Sequence, residues 1–194
     1  MRNLLLVAPL ALSMGCASAP SEPSAPLTER VSSLVEVFFD GQLYCTGSAA
    51  PIGNGIYLTA FHVVDLWEDE YMTSNYTITI SIDGFWAAEV MHLGDLDAAL
   101  VLMDPSLLEE GQEFLAPWPL SLREPSVGEE VIISGWGLGS FWMTEGRATT
   151  DDDRLSVPVS PGDSGCPFFR EDVGAILGII IAKDTRAPNH TYVV

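Results

Sequence analysis

Basic side chains are scarce in this sequence of 194 residues. Lys183 is its only lysine, and eight Lys and Arg residues against 27 Asp and Glu leave a formal net charge of −19. Such a surface repels phosphate backbones and anionic lipid headgroups, so binding to nucleic acid is disfavoured. A sustained helical period is also lacking along the chain, which disfavours an all-α fold. The acidity itself indicates solubility and names no substrate.

The N-terminus has the layout of a secretory signal peptide. A basic start, Met1-Arg2-Asn3, precedes an apolar run over 4–12 and the small residues of 13–19. The apolar run is too short to anchor the chain stably across a bilayer. The sequence therefore predicts export across the inner membrane.

Two cleavage sites compete in this region. Gly15-Cys16 is similar to the lipobox of bacterial lipoproteins, in which the cysteine becomes the lipidated first residue. We therefore predict a signal peptide over 1–15 and a lipidated Cys16 at the start of an Ala/Ser/Pro-rich tether over 16–30. The alternative is ordinary cleavage after Ala17-Ser18-Ala19. Cleavage before Cys16 predicts a cell-envelope lipoprotein (periplasmic or outer-membrane) that is attached to the membrane only through its lipid. Ordinary cleavage predicts a secreted protein.

The rest of the chain has the pattern of many short strands separated by Gly, Pro, Asn and Asp. Alternation over Tyr76–Ile82 places isoleucines on one face of a strand. A single helical turn is predicted over Val63–Glu68. The predicted strands are Ser33–Phe39, Leu43–Ala50, Gly55–Ala60, Tyr76–Asp83, Trp86–His92, Asp97–Met103, Glu130–Gly135, Phe141–Thr149, Gly165–Phe169, Ala175–Ala182 and Thr191–Val194. This pattern predicts an all-β fold, with a first barrel over 31–104 and a second over about 120–194.

Three segments carry residues suited to nucleophilic chemistry. Gly162-Asp163-Ser164-Gly165 is a serine turn whose glycines let backbone N–H groups converge, although it is equally the pattern of an ordinary hairpin. His62 directly follows an apolar strand, where a lone histidine is more often a core residue. Asp97 heads another apolar strand, where it is either a turn residue or the partner of an imidazolium.

Together these segments resemble the motifs of the trypsin-like (chymotrypsin-fold) serine proteases, in the order His, Asp, Ser. The matching segments are Thr59-Ala60-Phe61-His62, Asp97-Ala98-Ala99-Leu100-Val101 and Gly162-Asp163-Ser164-Gly165-Cys166-Pro167. Weaker matches are Cys45-Thr46-Gly47-Ser48, Ser134-Gly135-Trp136-Gly137 and Gly178-Ile179-Ile180. His62-Val63-Val64-Asp65 is similar to the compact bacterial branch of the family. The resemblance implies two six-stranded antiparallel β-barrels packed with the active site between them.

The resemblance also implies a secreted serine endopeptidase that acts on proteins or peptides. Ser164 would be the nucleophile, His62 the general base and Asp97 the group that orients the imidazole. The N–H groups of Gly162 and Ser164 would form the oxyanion hole, and neither metal nor organic cofactor is needed. An alternative is a catalytically inactive, protease-like lipoprotein that serves as a binding module. A purely structural envelope lipoprotein leaves the three motifs unexplained.

The sequence departs from the family pattern at two cysteines. Cys166 stands where the family has the second glycine of its serine motif, and the usual partner position of Cys45 holds Val63. In the family the strand of Cys45 runs beneath the serine turn, so a Cys45–Cys166 disulfide is one hypothesis. Two buried free thiols are the other.

Activation and specificity are less determined by the resemblance. In trypsin a newly cut N-terminus pairs with the acid before the serine, here Asp163, which in this chain needs another partner such as an arginine. Pro158 occupies the position that confers preference for Lys or Arg, so that preference is not supported. Lys183 near the pocket rim would favour acidic side chains, or is an ordinary surface lysine. Asp151-Asp152-Asp153 indicates a solvated loop more simply than a calcium site.

Overall fold

The computed structural model describes residues 31–68, 70–121, 123, 125–148, 154–157, 159–170, 174–183 and 191–193. Its strands are β1 Ser33–Phe39, β2 Gln42–Gly53, β3 Ile56–Thr59, β4 Ile78–Ile82, β5 Phe85–His92, β6 Ala99–Met103, β7 Glu130–Gly135, β8 Trp142–Arg147, β9 Arg154–Leu155, β10 Pro167–Arg170, β11 Ala175–Lys183 and β12 Thr191–Val193. The helices are α1 Phe61–Val64 and α2 Glu70–Asn75, and 3-10 turns lie at Asp65–Trp67, Pro105–Leu107 and Gly137–Gly139. No helix in these ranges is long and apolar enough to cross a membrane.

The first six strands form a closed antiparallel barrel in the order β1-β2-β3-β6-β5-β4. Strand β4 illustrates why these residues form the barrel, because Ile78, Ile80 and Ile82 alternate along it and are all buried. Alternation with period two puts one face of a strand against the core and the other toward the outside. The isoleucines pack with Val35 and Val37 of the neighbouring strand β1.

The second six strands form an antiparallel sheet in the order β8-β7-β10-β11-β12-β9. A bridge between Ala148 and Leu155 joins the two ends of this order, at β8 and β9. Val131, Ile133 and Phe168 are buried inside it. The prediction of an all-β fold made of two six-stranded antiparallel units is therefore confirmed.

A third apolar cluster joins the two units. Leu58 and Ala98 of the first barrel pack with Ile176 and Ile179 of β11. The proline-rich connection over 104–128 follows the same junction, because the N–H of Trp118 donates to the Pro51 carbonyl while Leu120 forms a bridge with Ile176. Burial of apolar surface between the two units therefore holds them together.

The structure differs from the predicted elements mainly near His62 and in the second half. The helical turn predicted over Val63–Glu68 begins earlier, at Phe61, so His62 itself is helical. Helix α2 was not predicted, and neither was β9, whose two residues are too few to give a period. Strand β4 begins at Ile78, two residues after the predicted Tyr76.

Candidate active site

His62 and Asp97 are brought together by the first barrel alone. Strand β3 pairs with β6, and Thr59 lies opposite Ala99. The segment after β3, which carries His62, therefore lies beside the segment before β6, which carries Asp97. The Asp97 carboxylate accepts from the backbone N–H of His62 at 2.9 Å through Oδ1 and contacts His62 Nδ1 at 2.7 Å through Oδ2. Because a carboxylate only accepts, Nδ1 carries the proton and Nε2 of the neutral ring is left as an acceptor.

Ser164 comes from the second barrel and completes the arrangement. Its Oγ lies 2.9 Å from His62 Nε2. The three residues therefore form one hydrogen-bonded chain across the junction of the barrels, Asp97 to His62 to Ser164. A hydroxyl within reach of an imidazole whose other nitrogen is fixed by a carboxylate is able to lose its proton to that imidazole as it attacks an electrophile.

The serine turn requires its two glycines. Gly162 and Gly165 both have positive φ, +95° and +87°. A Cβ on Gly162 would lie 2.9 Å from the Trp136 carbonyl oxygen, and one on Gly165 would lie 1.9 Å from that of Ser48. Conformation and space thus both exclude larger residues at these positions.

Two N–H groups of this turn have no hydrogen-bond acceptor among the described residues. Among the N–H groups of Ser160 to Cys166, those of Gly162 and Ser164 have no acceptor in the part of the chain that the structure describes. The carbonyls on the far side of the same peptide planes are anchored: Leu138 donates to Pro161, and Cys166 donates to Asp163. Since the C=O and N–H of a trans peptide point in opposite directions, these anchors fix the directions of both free donors.

Asp163 is buried, with 2% of its surface exposed. Its carboxylate accepts from the indole Nε1 of Trp142 at 2.7 Å and from the Ser160 N–H at 2.5 Å. Burial raises the pKa of the Asp163 carboxyl, and the hydrogen bonds from Ser160 and Trp142 lower it. The partner anticipated from the sequence was an arginine, and in the structure an indole and a backbone amide take that place. No sequence signal marks an indole as the partner of a carboxylate.

Gly137 lets the Asp163–Trp142 pair form. A Cβ on Gly137 would lie 2.5 Å from Asp163 Oδ1 and 2.9 Å from Trp142 Nε1. A cavity of about 240 Å³ adjoins the pair and is lined by these three residues with Leu138, Thr144 and Ser160. Because Gly137 has no side chain, the turn over Gly137–Gly139 packs closely against the serine turn and helps to hold the carboxylate.

The predicted Cys45–Cys166 disulfide is wrong, because both cysteines carry free thiols. The Cys45 thiol packs against the first-barrel core and donates to the Val63 carbonyl at 3.6 Å. Cys166 is buried in the core of the second unit. Its Sγ lies only 1.8 Å from where a Cβ of Gly135 would be, so the thiol fills the space that this glycine leaves. The side chains of the two cysteines therefore belong to different cores.

Phe61, which replaces an alanine of the family motif, stacks on His92. The ring centroids are 3.6 Å apart and the planes are within 8° of parallel. His92 Nε2 donates to the Leu96 carbonyl at 2.9 Å, in the residue before Asp97. The Phe61 N–H also donates to the Asp97 carbonyl at 3.2 Å. Phe61 and His92 thus brace the turn that carries Asp97, a role that sequence spacing does not reveal.

Several predicted residues lie outside this geometry. Cys16, Pro158 and the run over 151–153 fall outside the described residues. The backbone of Lys183 is described and pairs with Thr191 at the end of β11. The positions assigned to specificity therefore stay predictions.

Two antiparallel six-stranded units with a Ser–His–Asp arrangement at their junction define the chymotrypsin-like fold of bacterial serine proteases. Comparison with known proteins agrees with this. The chain is similar to the Rv3671c protease of M. tuberculosis in its active form, with TM-score 0.63, 18% identity and 91% of this chain and 83% of that one covered. It is also similar to an inactive form of the same protein carrying a serine-to-alanine mutation, with TM-score 0.61, 19% identity and 92% and 89% covered.

A third similar structure is the thermostable serine protease AL20 from an extremophilic microorganism. Its TM-score is 0.63 at 15% identity, with 87% of this chain and 92% of that chain covered. No protein-family model matches the sequence, and no curated protein matches it. At these identities the comparisons establish the protease fold.

Proposed function

We propose that this chain is an exported serine endopeptidase that hydrolyses peptide bonds through an acyl-enzyme. The observation that carries the proposal is the hydrogen-bonded chain from Asp97 through His62 to Ser164, with distances of 2.7 and 2.9 Å. A nucleophile within reach of a base, which is itself oriented by a carboxylate, is the arrangement that acyl transfer requires.

In this mechanism Ser164 Oγ attacks the peptide carbonyl carbon while its proton passes to His62 Nε2. The tetrahedral intermediate collapses as the C–N bond breaks and the imidazolium returns the proton to the leaving amine. Water then repeats the sequence on the acyl-enzyme, with the same histidine as base. Asp97 fixes the tautomer through the 2.7 Å contact with Nδ1 and stabilises the imidazolium.

The free N–H groups of Gly162 and Ser164 are suited to stabilise the negative charge on the intermediate. Their directions are set by the anchored carbonyls of Pro161 and Asp163, so little reorganisation is needed as charge develops. Loss of one such donor lowers kcat by roughly 10²–10³.

A binding module with an inactive site would be the expected function if Cys166, which replaces a glycine of the family motif, distorted the serine turn. The Cys166 thiol lies over Gly135, and the Cys166 N–H still donates to the Asp163 carbonyl at 3.0 Å. The turn therefore accommodates the cysteine without losing this anchor. This favours the enzyme over the binding module.

Two finer parts of the proposal concern location and substrate. Cys16 would be lipidated and hold the domain at the cell envelope, which a mass measurement of the mature N-terminus checks. Lys183, the last residue of β11, would favour substrates with acidic side chains. A peptide library cleaved by wild type and by Lys183→Ala checks this second part, since loss of an acidic preference is expected in the variant.

The central test is labelling with a fluorophosphonate probe, which phosphonylates an activated serine. Wild type is expected to label, whereas Ser164→Ala and His62→Ala are not. Ser156→Ala is the matched control, because Ser156 is an exposed serine outside the arrangement and should leave labelling unchanged. A folded wild type that never labels contradicts the proposal and favours the binding module.

A further inference from the structure

Ser48 lies where the two barrels meet at the serine turn. It belongs to strand β2 of the first barrel and is fully buried, with 0% of its surface exposed. Its backbone N–H donates to the Ser164 carbonyl at 2.8 Å. The first barrel, which carries His62 and Asp97, is therefore bonded directly to the residue that carries the nucleophile.

The hydroxyl of Ser48 uses its full hydrogen-bonding capacity. It donates to the Gly162 carbonyl at 3.1 Å and accepts from the Trp136 N–H at 2.9 Å. The Cys166 thiol is its second donor, with Sγ 3.4 Å from Oγ. A hydroxyl has one donor and two acceptor sites, so all three are occupied. A buried hydroxyl in this state has one orientation.

The two carbonyls that Ser48 holds alternate with the two that are anchored from within the second barrel. Gly162 and Ser164 are held by Ser48, whereas Pro161 and Asp163 are held by Leu138 and Cys166. Because each peptide is planar, anchoring these carbonyls fixes the orientation of successive peptides in the turn. The direction of the two free N–H groups and the position of Ser164 Oγ follow from those orientations.

Ser48 is also connected to the strand that leads to His62. The Thr59 hydroxyl donates to the Ser48 carbonyl at 2.7 Å, and Thr59 ends strand β3, three residues before His62. Ser48 thus contacts both the nucleophile turn and the strand before the base. Catalytic groups must be held to within fractions of an ångström, so a link of this kind is expected to set the distance from Ser164 Oγ to His62 Nε2.

We propose that Ser48 is a positioning residue, which sets the serine turn against the first barrel through the Gly162 and Ser164 carbonyls. The proposal rests on the proposed peptidase function for its kinetic consequence, while its structural consequence is independent of activity. Ser48→Ala keeps the backbone link to Ser164 and removes the hydroxyl, leaving the Gly162 carbonyl without its donor. The peptide between Gly162 and Asp163 then keeps only the hydrogen bond from its N–H to the Ser160 carbonyl, at 3.1 Å, and is less firmly held.

The test compares Ser48→Ala with Ser48→Cys and with Ser134→Ala. Cysteine fills nearly the same space with a weaker donor. Ser48→Cys is therefore compared with wild type if the alanine variant does not fold. Ser134 is the matched control, because it is a fully buried serine of the same junction that bonds Ser32 Oγ at 2.9 Å and does not hold the serine turn. Each variant is measured by its rate of phosphonylation, by kcat and KM on an ester substrate, and by NMR.

Ser48→Ala is expected to lower kcat and the phosphonylation rate by roughly 10–10²-fold with KM little changed. Ser48→Cys is expected to fall between it and wild type, and Ser134→Ala to stay within about threefold of wild type. The ¹³C resonance of the Gly162 carbonyl should move in Ser48→Ala and not in Ser134→Ala. The proton of the His62–Asp97 hydrogen bond should keep its resonance, which shows that the first barrel is intact.

A Ser48→Ala protein that reacts within about threefold of wild type would overturn the proposal, as would an unmoved Gly162 carbonyl resonance. If wild type itself does not phosphonylate, the peptidase function fails and Ser48 is judged on the Gly162 resonance alone. A moved resonance then supports the positioning role, and an unmoved one removes it.

Discussion

The indole Nε1 of Trp142 donates to Asp163 Oδ1 at 2.7 Å, so a neutral side chain holds the buried carboxylate next to the nucleophile. The second donor is the N–H of Ser160 at 2.5 Å. Neither comes from a chain terminus or a basic residue. The Asp163 carbonyl oxygen also accepts a hydrogen bond from the Cys166 N–H, so both the side chain and the backbone of Asp163 are held. The serine turn therefore has its anchors within the folded chain, and we expect activity without a proteolytic cut.

The first prediction follows from the pKa of Asp163. Burial raises this pKa, so stability associated with the protonated acid is present at low pH and is lost as pH rises through the raised value. The Trp142 hydrogen bond lowers the pKa of Asp163, so Trp142→Phe should raise this pKa further. The loss of stability with rising pH should then continue to a higher pH than in wild type. At pH 7 the variant should be less stable than wild type by about 2 kcal/mol. The difference should shrink as pH falls and the acid becomes protonated.

Urea unfolding of wild type and Trp142→Phe across the acidic and neutral range measures this effect. Trp86→Phe is the control, because Trp86 is 49% exposed on the first barrel and makes no contact with Asp163. A difference between wild type and Trp142→Phe that is the same at every pH would show that the indole acts by packing alone.

The fold was predictable because it depends on patterns that the sequence carries locally. Strands β1 and β7 have the predicted bounds, Ser33–Phe39 and Glu130–Gly135, since alternation and flanking turn residues define both ends. The order of the His62, Asp97 and Ser164 motifs also anticipated that these residues meet. Side-chain direction was not predictable. The Cys45–Cys166 hypothesis failed because strand proximity does not tell which core each thiol faces.

The second prediction concerns the two thiols. In a Cys16→Ser background, intact mass with and without reductant should be identical, and two thiols should titrate after denaturation. In the folded protein both should alkylate slowly, because burial raises the pKa of Cys166 and raises that of Cys45 to about 11. At pH 8 a thiol with that pKa is thiolate in on the order of one molecule in a thousand. A mass increase of two hydrogens on reduction would show that the two cysteines form a disulfide and would contradict this prediction.

The third prediction tests the stack of Phe61 on His92. Phe61→Ala restores the alanine of the family motif but removes the 3.6 Å stacking contact. We expect a loss of about 2 kcal/mol in the free energy of unfolding, because Phe61 is only partly buried. We also expect a several-fold lower kcat, because the turn before Asp97 loses its brace. His92→Ala should have a similar effect on kcat, and the double variant should be no worse than either single one. Independent, additive losses would contradict a shared role.

The fourth prediction tests how Cys166 fits beside the serine turn. A Cβ on Gly135 would lie 1.8 Å from Cys166 Sγ and 3.3 Å from its Cβ, so Gly135→Ala forces the thiol out of its place. Because Cys166 is fully buried, overpacking of this kind should destabilise the protein by about 2–3 kcal/mol. Cys166→Gly empties the same space, so the double variant should be about as stable as Cys166→Gly alone. Urea unfolding of the four proteins gives the coupling energy.

The same Gly135→Ala change in a Cys45→Ala background is the control, where additive effects are expected because Cys45 packs in the other core. Additivity with Cys166→Gly as well would mean that the thiol does not occupy the space over Gly135.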